Sequence, residues 1–154
     1  MRNISCCFTG HRKINAQDEE NIKARLTEQI KRLIGFGVKR FICGGAIGFD
    51  MLAEICVLEQ KKLYPDIDLV LALPCKSQAK YFNRYEKQTY EFIKELADEV
   101  IYTSEEYNSQ CMKMRNHFMV DNSGYCICYI RKRHGGTYST QLYARKQGLE
   151  VICI

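Results

Sequence analysis

The chain has 154 residues, with 23 Lys and Arg against 18 Asp and Glu, a formal net charge of +5. That length suits a single domain, residues 1–154, with a sizeable core, and 46% hydrophobic with 27% charged residues and two prolines excludes a disordered or low-complexity chain. The basic residues are scattered apart from Arg131-Lys132-Arg133-His134, a pattern closer to solvated helix faces than to a nucleic-acid-binding stripe.

The first β-type run is Ile4 to Phe8, followed by Thr9-Gly10-His11-Arg12 and a helical pattern through Ile22, Leu26, Ile30, Leu33 and Ile34. A second run, Arg40 to Cys43, leads through Gly44-Gly45-Ala46-Ile47-Gly48-Phe49-Asp50 into helical spacing at Leu52, Ile55, Cys56 and Leu63. The third, Asp68 to Leu73, precedes Pro74-Cys75-Lys76-Ser77-Gln78 and a predicted helix from Gln78 to Ala97. The fourth, Glu99 to Tyr102, precedes Tyr107-Asn108-Ser109 and a helix from Ser109 to Asp121. The fifth, Tyr125 to Ile130, precedes His134-Gly135-Gly136-Thr137 and a helix from Tyr138 to Gln147, and the last runs from Glu150 to Ile154. Each strand is continuously apolar, as strands covered on both faces are. Strict alternation of strand and helix predicts an α/β fold, a Rossmann-like three-layer αβα sandwich with a mostly parallel sheet.

Such a fold binds its ligand at the carboxyl ends of the strands, where strand order reverses. Thr9, Gly10, His11 and Arg12 after the first strand read either as a glycine turn with solvated side chains or as donors to an anion. Gly44, Gly45 and Gly48 lead into a helix start, where backbone N–H groups attract anions and missing side chains admit phosphate or ribose. The G-x-G-x-x-G dinucleotide fingerprint is absent from this loop. Asp50 suits the dipole of the following helix, or accepts hydrogen bonds from ribose hydroxyls. Tyr81, Phe82, Tyr85, Tyr90 and Phe92 form a stripe of the kind that is usually core, although one exposed member could stack on a base. Arg115, beside Asn116, suits bidentate recognition of phosphate or an internal ion pair. Gly135, Gly136 and Thr137 make a second double-glycine turn expected on the same edge as the first, which points to a ligand with phosphate or ribose groups.

The nine cysteines include no C-x-x-C pair. Cys6, Cys43, Cys126, Cys128 and Cys153 fall in apolar runs and read as buried free thiols, which suits a reducing cytoplasm. No stretch approaches the roughly 18 apolar residues of a membrane helix, so no membrane association is expected. Neither a metal site nor a cofactor is expected, since His11 and His134 are alone in reaching one edge.

Together, T-G-H-R after the first strand, G-G-A-I-G-F-D after the second, M-R-N-H-F-M-V-D in the fourth helix and G-G-T before the fifth resemble the YpsA-type family of the SLOG superfamily. That superfamily includes the single-stranded-DNA-binding DprA proteins and the LOG enzymes, which cleave the N-glycosidic bond of adenosine-monophosphate-type cytokinins. The resemblance implies a nucleotide-type pocket but no particular reaction. Arg115 with Met119 looks like the arginine-bearing helix of LOG enzymes, and Gly135-Gly136 like the double glycine of their P-G-G-x-G-T-x-x-E motif. The sequence then departs: His134 stands for the proline, Tyr138 for the third glycine and Leu142 for the glutamate, and in the alternative register Thr140 takes the glutamate's place.

N-glycoside cleavage needs a group to steady an oxocarbenium ion or activate water, commonly a carboxylate. With none at the motif position, Arg115, Asp50 and Asp121 are the remaining catalytic candidates. The expected function is therefore a binding or sensor protein for a nucleotide or derivative such as ADP-ribose. A nucleotide phosphoribohydrolase is the alternative, and a DprA-like single-stranded nucleic-acid module a further one. Self-association, common in the related families, is left open.

Overall fold

The computed structural model describes residues 2–154. Six strands, β1 Ser5–Gly10, β2 Arg40–Cys43, β3 Asp68–Leu73, β4 Glu99–Tyr102, β5 Tyr125–Tyr129 and β6 Glu150–Cys153, alternate with five α-helices. These are α1 Ala16–Gly35, α2 Phe49–Lys61, α3 Arg84–Leu96, α4 Cys111–Asp121 and α5 Gly136–Lys146. The strands form one sheet in the order β4-β3-β2-β1-β5-β6, and every pairing is parallel. The expected α/β architecture is thus present, with a wholly parallel sheet in place of a mostly parallel one.

Side chains alternate across the pleat, which divides the core in two. Cys6 and Phe8 of β1 pack with Ile22, Leu26 and Ile30 of α1, Cys56 and Val57 of α2 and Ile93 of α3. Cys7, between them in sequence, packs on the other face with Met119 and Val120 of α4 and Ala144 of α5. Strands β1, β2, β3 and β5 are covered on both faces, whereas the edge strands β4 and β6 remain partly exposed, which corrects the expectation that all six are fully enclosed. For the same reason Cys153 on β6 is exposed while the other eight cysteines are buried free thiols.

The predicted helix from Gln78 to Ala97 is broken. A short 3-10 helix covers Gln78–Tyr81, and α3 restarts at Arg84 behind Asn83. Asn83 Oδ1 accepts the Glu86 backbone N–H at 2.8 Å while Glu86 Oε1 accepts that of Asn83 at 2.8 Å, a reciprocal cap that fixes a new helix start. The break turns the aromatic stripe outward: only Tyr90 is buried, while Tyr81 is 89% exposed and Tyr85 and Phe92 are also on the surface. Leu63 lies beyond the end of α2 and is exposed, outside the helical face its spacing suggested. Among the described residues, no helix is long and apolar enough to cross a membrane.

Asn83→Ala removes one half of this cap, so a loss of about 1 kcal/mol in a urea unfolding titration is expected, with no change at the strand ends.

Candidate functional site

The sheet order places β1 between β2 and β5, so successive crossovers run one way from β1 to β4 and the chain then returns to the other side of β1. The loops after β1 and β5 diverge at this reversal and leave a crevice. A cavity of about 320 Å³ lies there, lined by Thr9, Gly10, His11 and Arg12 after β1, Ala46 and Asp50 after β2, Met112, Arg115 and Asn116 on α4, and Lys132, His134, Gly135, Gly136 and Thr137 after β5.

The two crevice loops are tied together directly. Thr137 Oγ1 donates to the Gly10 carbonyl at 3.2 Å, and the Arg131 backbone N–H donates to His11 Nε2 at 2.7 Å. That bond requires a free lone pair on Nε2, and His11 has its pKa held below the usual value by partial burial and then by Lys132, Arg131 and His134. Gly10 itself is a packing requirement, since a Cβ there would lie 2.2 Å from the Phe49 ring.

The second loop plays a different part from the one its glycines suggested. Gly44, Gly45 and Gly48 do not line the cavity. The Gly44 carbonyl accepts from Gln78 Nε2 at 2.9 Å and from Arg115 Nη1, while a Cβ on Gly44 would meet both Arg115 Nη1 and Asp50 Oδ2 at 2.8 Å. Gly48 has φ +78° and its Cβ would lie 2.2 Å from the Arg12 carbonyl oxygen, so the loop can pass the first strand-end turn only with glycine. The protein's own side chains and backbone fill the space that these glycines clear.

Arg115 is 5% exposed. Besides Gly44, its Nε donates to Asn116 Oδ1 at 2.8 Å and its Nη2 reaches Met112 Sδ at 3.8 Å. Each nitrogen thus has one acceptor, and of the five N–H groups of a guanidinium two stay uncommitted at the cavity wall. Burial lowers its pKa, Asp50 acting in the opposite sense and Arg12 in the same one. Asp50, 7% exposed, has its pKa raised by burial against the pull of Arg115 and of the Ala46 N–H, which donates to Oδ2 at 3.2 Å.

Glu54 was not singled out from the sequence. One turn beyond Asp50 on α2, it is 1% exposed and its Oε1 accepts the Gly45 N–H at 3.0 Å. Burial, reinforced by the charge of Asp50, pushes its carboxyl well above the ordinary range. Its i, i+4 spacing puts it on the same face of α2 as Asp50, but the spacing does not tell whether that face turns inward. Asp121, by contrast, lies at the end of α4 and accepts from the Tyr143 hydroxyl at 2.7 Å, outside the cavity lining. The sequence candidates therefore divide: Thr9 to Arg12, Asp50, Arg115, Asn116 and Gly135 to Thr137 converge, Gly44, Gly45 and Gly48 support them from behind, and Asp121 stands apart.

Comparison with known proteins places this geometry in context. The YpsA family model, described as the YspA SLOG family, matches residues 6–150. The chain is 33% identical over 138 residues to the SPbeta prophage-derived protein YoqJ of Bacillus subtilis (strain 168), across 81% of each chain. Among solved structures, DNA processing protein A (DprA) from Streptococcus pneumoniae superposes with a TM-score of 0.70 at 13% identity, over 98% of this chain and 50% of that one. DprA from Helicobacter pylori, described for its single-stranded DNA binding mode, gives 0.68 at 16% identity, over 99% and 65%. The chain thus spans half of one DprA chain and 65% of the other, and these two likenesses show the fold.

Two outcomes test the supporting shell. Gly48→Ala meets both a positive φ and the Arg12 backbone, so a loss above about 2 kcal/mol in denaturant unfolding is expected. Glu54 binds its proton more tightly folded than unfolded, so its contribution is complete below pH 4.5, the ordinary value, and declines as pH rises toward the folded pKa. Stability measured from pH 5 upward should fall by at most about 1.4 kcal/mol per pH unit from this group, and Glu54→Gln should flatten that dependence.

Proposed function

The chain belongs to the YspA SLOG family, and from that premise we propose that its strand-end cavity binds a nucleotide or nucleotide derivative, ADP-ribose-like molecules included, with a phosphate at the first turn of α5. The observation that carries this reading is the open space at Gly135 and Gly136. A Cβ at either would meet nothing within 4 Å, although both line the cavity at the start of α5. Exposed N–H groups at a helix start, with the positive end of its dipole behind them, attract phosphate. Arg12, Lys132 and the uncommitted N–H groups of Arg115 add positive charge around the same space.

Asp50 is the one carboxylate among the lining residues. Beside phosphate it would repel, so its place is toward the ribose, whose hydroxyls donate to it. It also supports a second reading, N-glycoside hydrolysis, because a buried carboxyl with a raised pKa is suited to proton transfer. Binding is preferred because Asp50 Oδ2 is already engaged by the Ala46 N–H. The largely buried free thiols fit a reducing compartment, and we place the protein in the cytoplasm.

In a thermal-shift and calorimetric screen of nucleoside monophosphates, ADP-ribose and NAD, at least one ligand should raise the unfolding temperature. Gly136→Asp adds a carboxylate where the phosphate would sit while favouring the helix start, so it should leave stability unchanged or slightly higher and abolish the shift. A shift that survives Gly136→Asp would place the ligand elsewhere. Incubation with the bound nucleotide should release no free base, and release lost on Asp50→Asn would reverse the order of the two readings.

A further inference from the structure

The first turn of α5 has a cavity on each side. Opposite the strand-end cavity, a groove of about 740 Å³ is lined by Arg25 of α1, Arg131, Lys132 and Arg133 of the β5–α5 loop, Tyr138, Leu142 and Arg145 of α5, and the end of β6. Lys132 lines both spaces, and it belongs to the loop that carries Gly135 and Gly136.

Charge in the groove is one-sided. No Asp or Glu lines it, and among the described residues neither its four arginines nor Lys132 enters an ion pair with a carboxylate side chain. Some cations elsewhere have such partners, as Lys23 has Glu59 and Lys61 has Asp98. Like charges gathered without carboxylate side chains beside them repel one another, and the arrangement is relieved when an anion enters. Arg131 is held in place, its guanidinium 4.1 Å from the Tyr129 ring centroid and its Nη1 on the Ile154 main-chain oxygen at 3.3 Å. Tyr138 and the half-exposed Leu142 add an apolar wall of the kind on which a base stacks.

We propose that this groove is a second subsite for the same ligand, which is a dinucleotide: two nucleosides joined through phosphate, the linkage lying over the first turn of α5 near Lys132. One nucleoside occupies the strand-end cavity and the other rests on Tyr138 and Leu142, with Arg133 and Arg145 on the side that faces the phosphate linkage. This assignment rests on the nucleotide reading of the first cavity. Both spaces fall within the roughly 300 to 1,000 Å³ usual for small-ligand sites.

Calorimetry on the full chain would compare AMP with two dinucleotides, diadenosine pyrophosphate and the phosphodiester pApA, which distinguish the two kinds of linkage. Either dinucleotide should bind at least about tenfold more tightly than AMP. Leu142→Asp and Arg145→Ala, both at exposed positions outside the first cavity, should bring that dinucleotide to the AMP level and leave AMP affinity unaltered. Dinucleotides no tighter than AMP, or variants that weaken AMP equally, would overturn the second subsite while leaving the first. Failure of all three ligands to bind would overturn both readings. A decathymidylate strand binding far more tightly than either dinucleotide would replace a dinucleotide with a nucleic-acid ligand.

Discussion

The Gly44 carbonyl is the point on which the strand-end architecture depends. It accepts from Gln78 Nε2 in the segment after β3 and from Arg115 Nη1 on α4, so one oxygen joins two strand-end segments and a helix. Gln78 is in turn fixed by the Tyr90 hydroxyl at 3.2 Å, which carries the linkage into α3. Since α3 packs on one face of the sheet and α4 on the other, Arg115 bridges the two layers across the sheet edge. A buried guanidinium is costly unless its donors are occupied. Here the donor on the Gly44 carbonyl holds the β2–α2 loop, and Arg115 itself lines the cavity.

This arrangement gives the two glycine-rich turns opposite roles. Around Gly44, Gly45 and Gly48 the absent side chains admit the protein's own atoms: Arg115 and Asp50 at the first, Leu73 at the second, the Arg12 backbone at the third. Around Gly135 and Gly136 they admit nothing within 4 Å. The first turn therefore spends its freedom on packing. The second keeps it, at a helix start whose N–H groups have a use for an anion. Thr137 prevents this open turn from drifting, because its hydroxyl holds the Gly10 carbonyl on the facing loop.

Much of the fold was legible because strand and helix periods alternate without interruption, and a parallel α/β sheet leaves few other ways to cover both faces. The order of strands was not, since pairing is a long-range property, and with it went the exposure of β4 and β6. The break before α3 was present in the sequence as Asn83 with Glu86 three residues on, but the aromatic positions around it mimic an amphipathic helix and masked the cap. At the site, Arg115 and the Gly135-Gly136 turn could be placed because their loops follow strands. Glu54 could not, because nothing local distinguishes a surface glutamate from one that turns inward to receive the Gly45 N–H. Asp121 failed in the opposite sense: it shares α4 with Arg115, but six residues place it at the far end of the helix, on Tyr143.

The same distinction bears on whether the cavity performs chemistry. Two acidic groups lie near Arg115, yet both are committed to backbone N–H groups of the β2–α2 loop, Asp50 to Ala46 and Glu54 to Gly45. Burial raises both pKa values; at Glu54 the charge of Asp50 adds to it, whereas Arg115 pulls Asp50 in the opposite sense. Asp50 opposes Arg115, and Arg12, Arg115 and Lys132 give the cavity a mainly positive wall. A catalytic carboxylate must be free to give or take a proton at the reacting atom, whereas these two hold a loop in shape. Both carboxylates thus hold the β2–α2 loop, and this supports the proposed reading of an anionic nucleotide held without reaction.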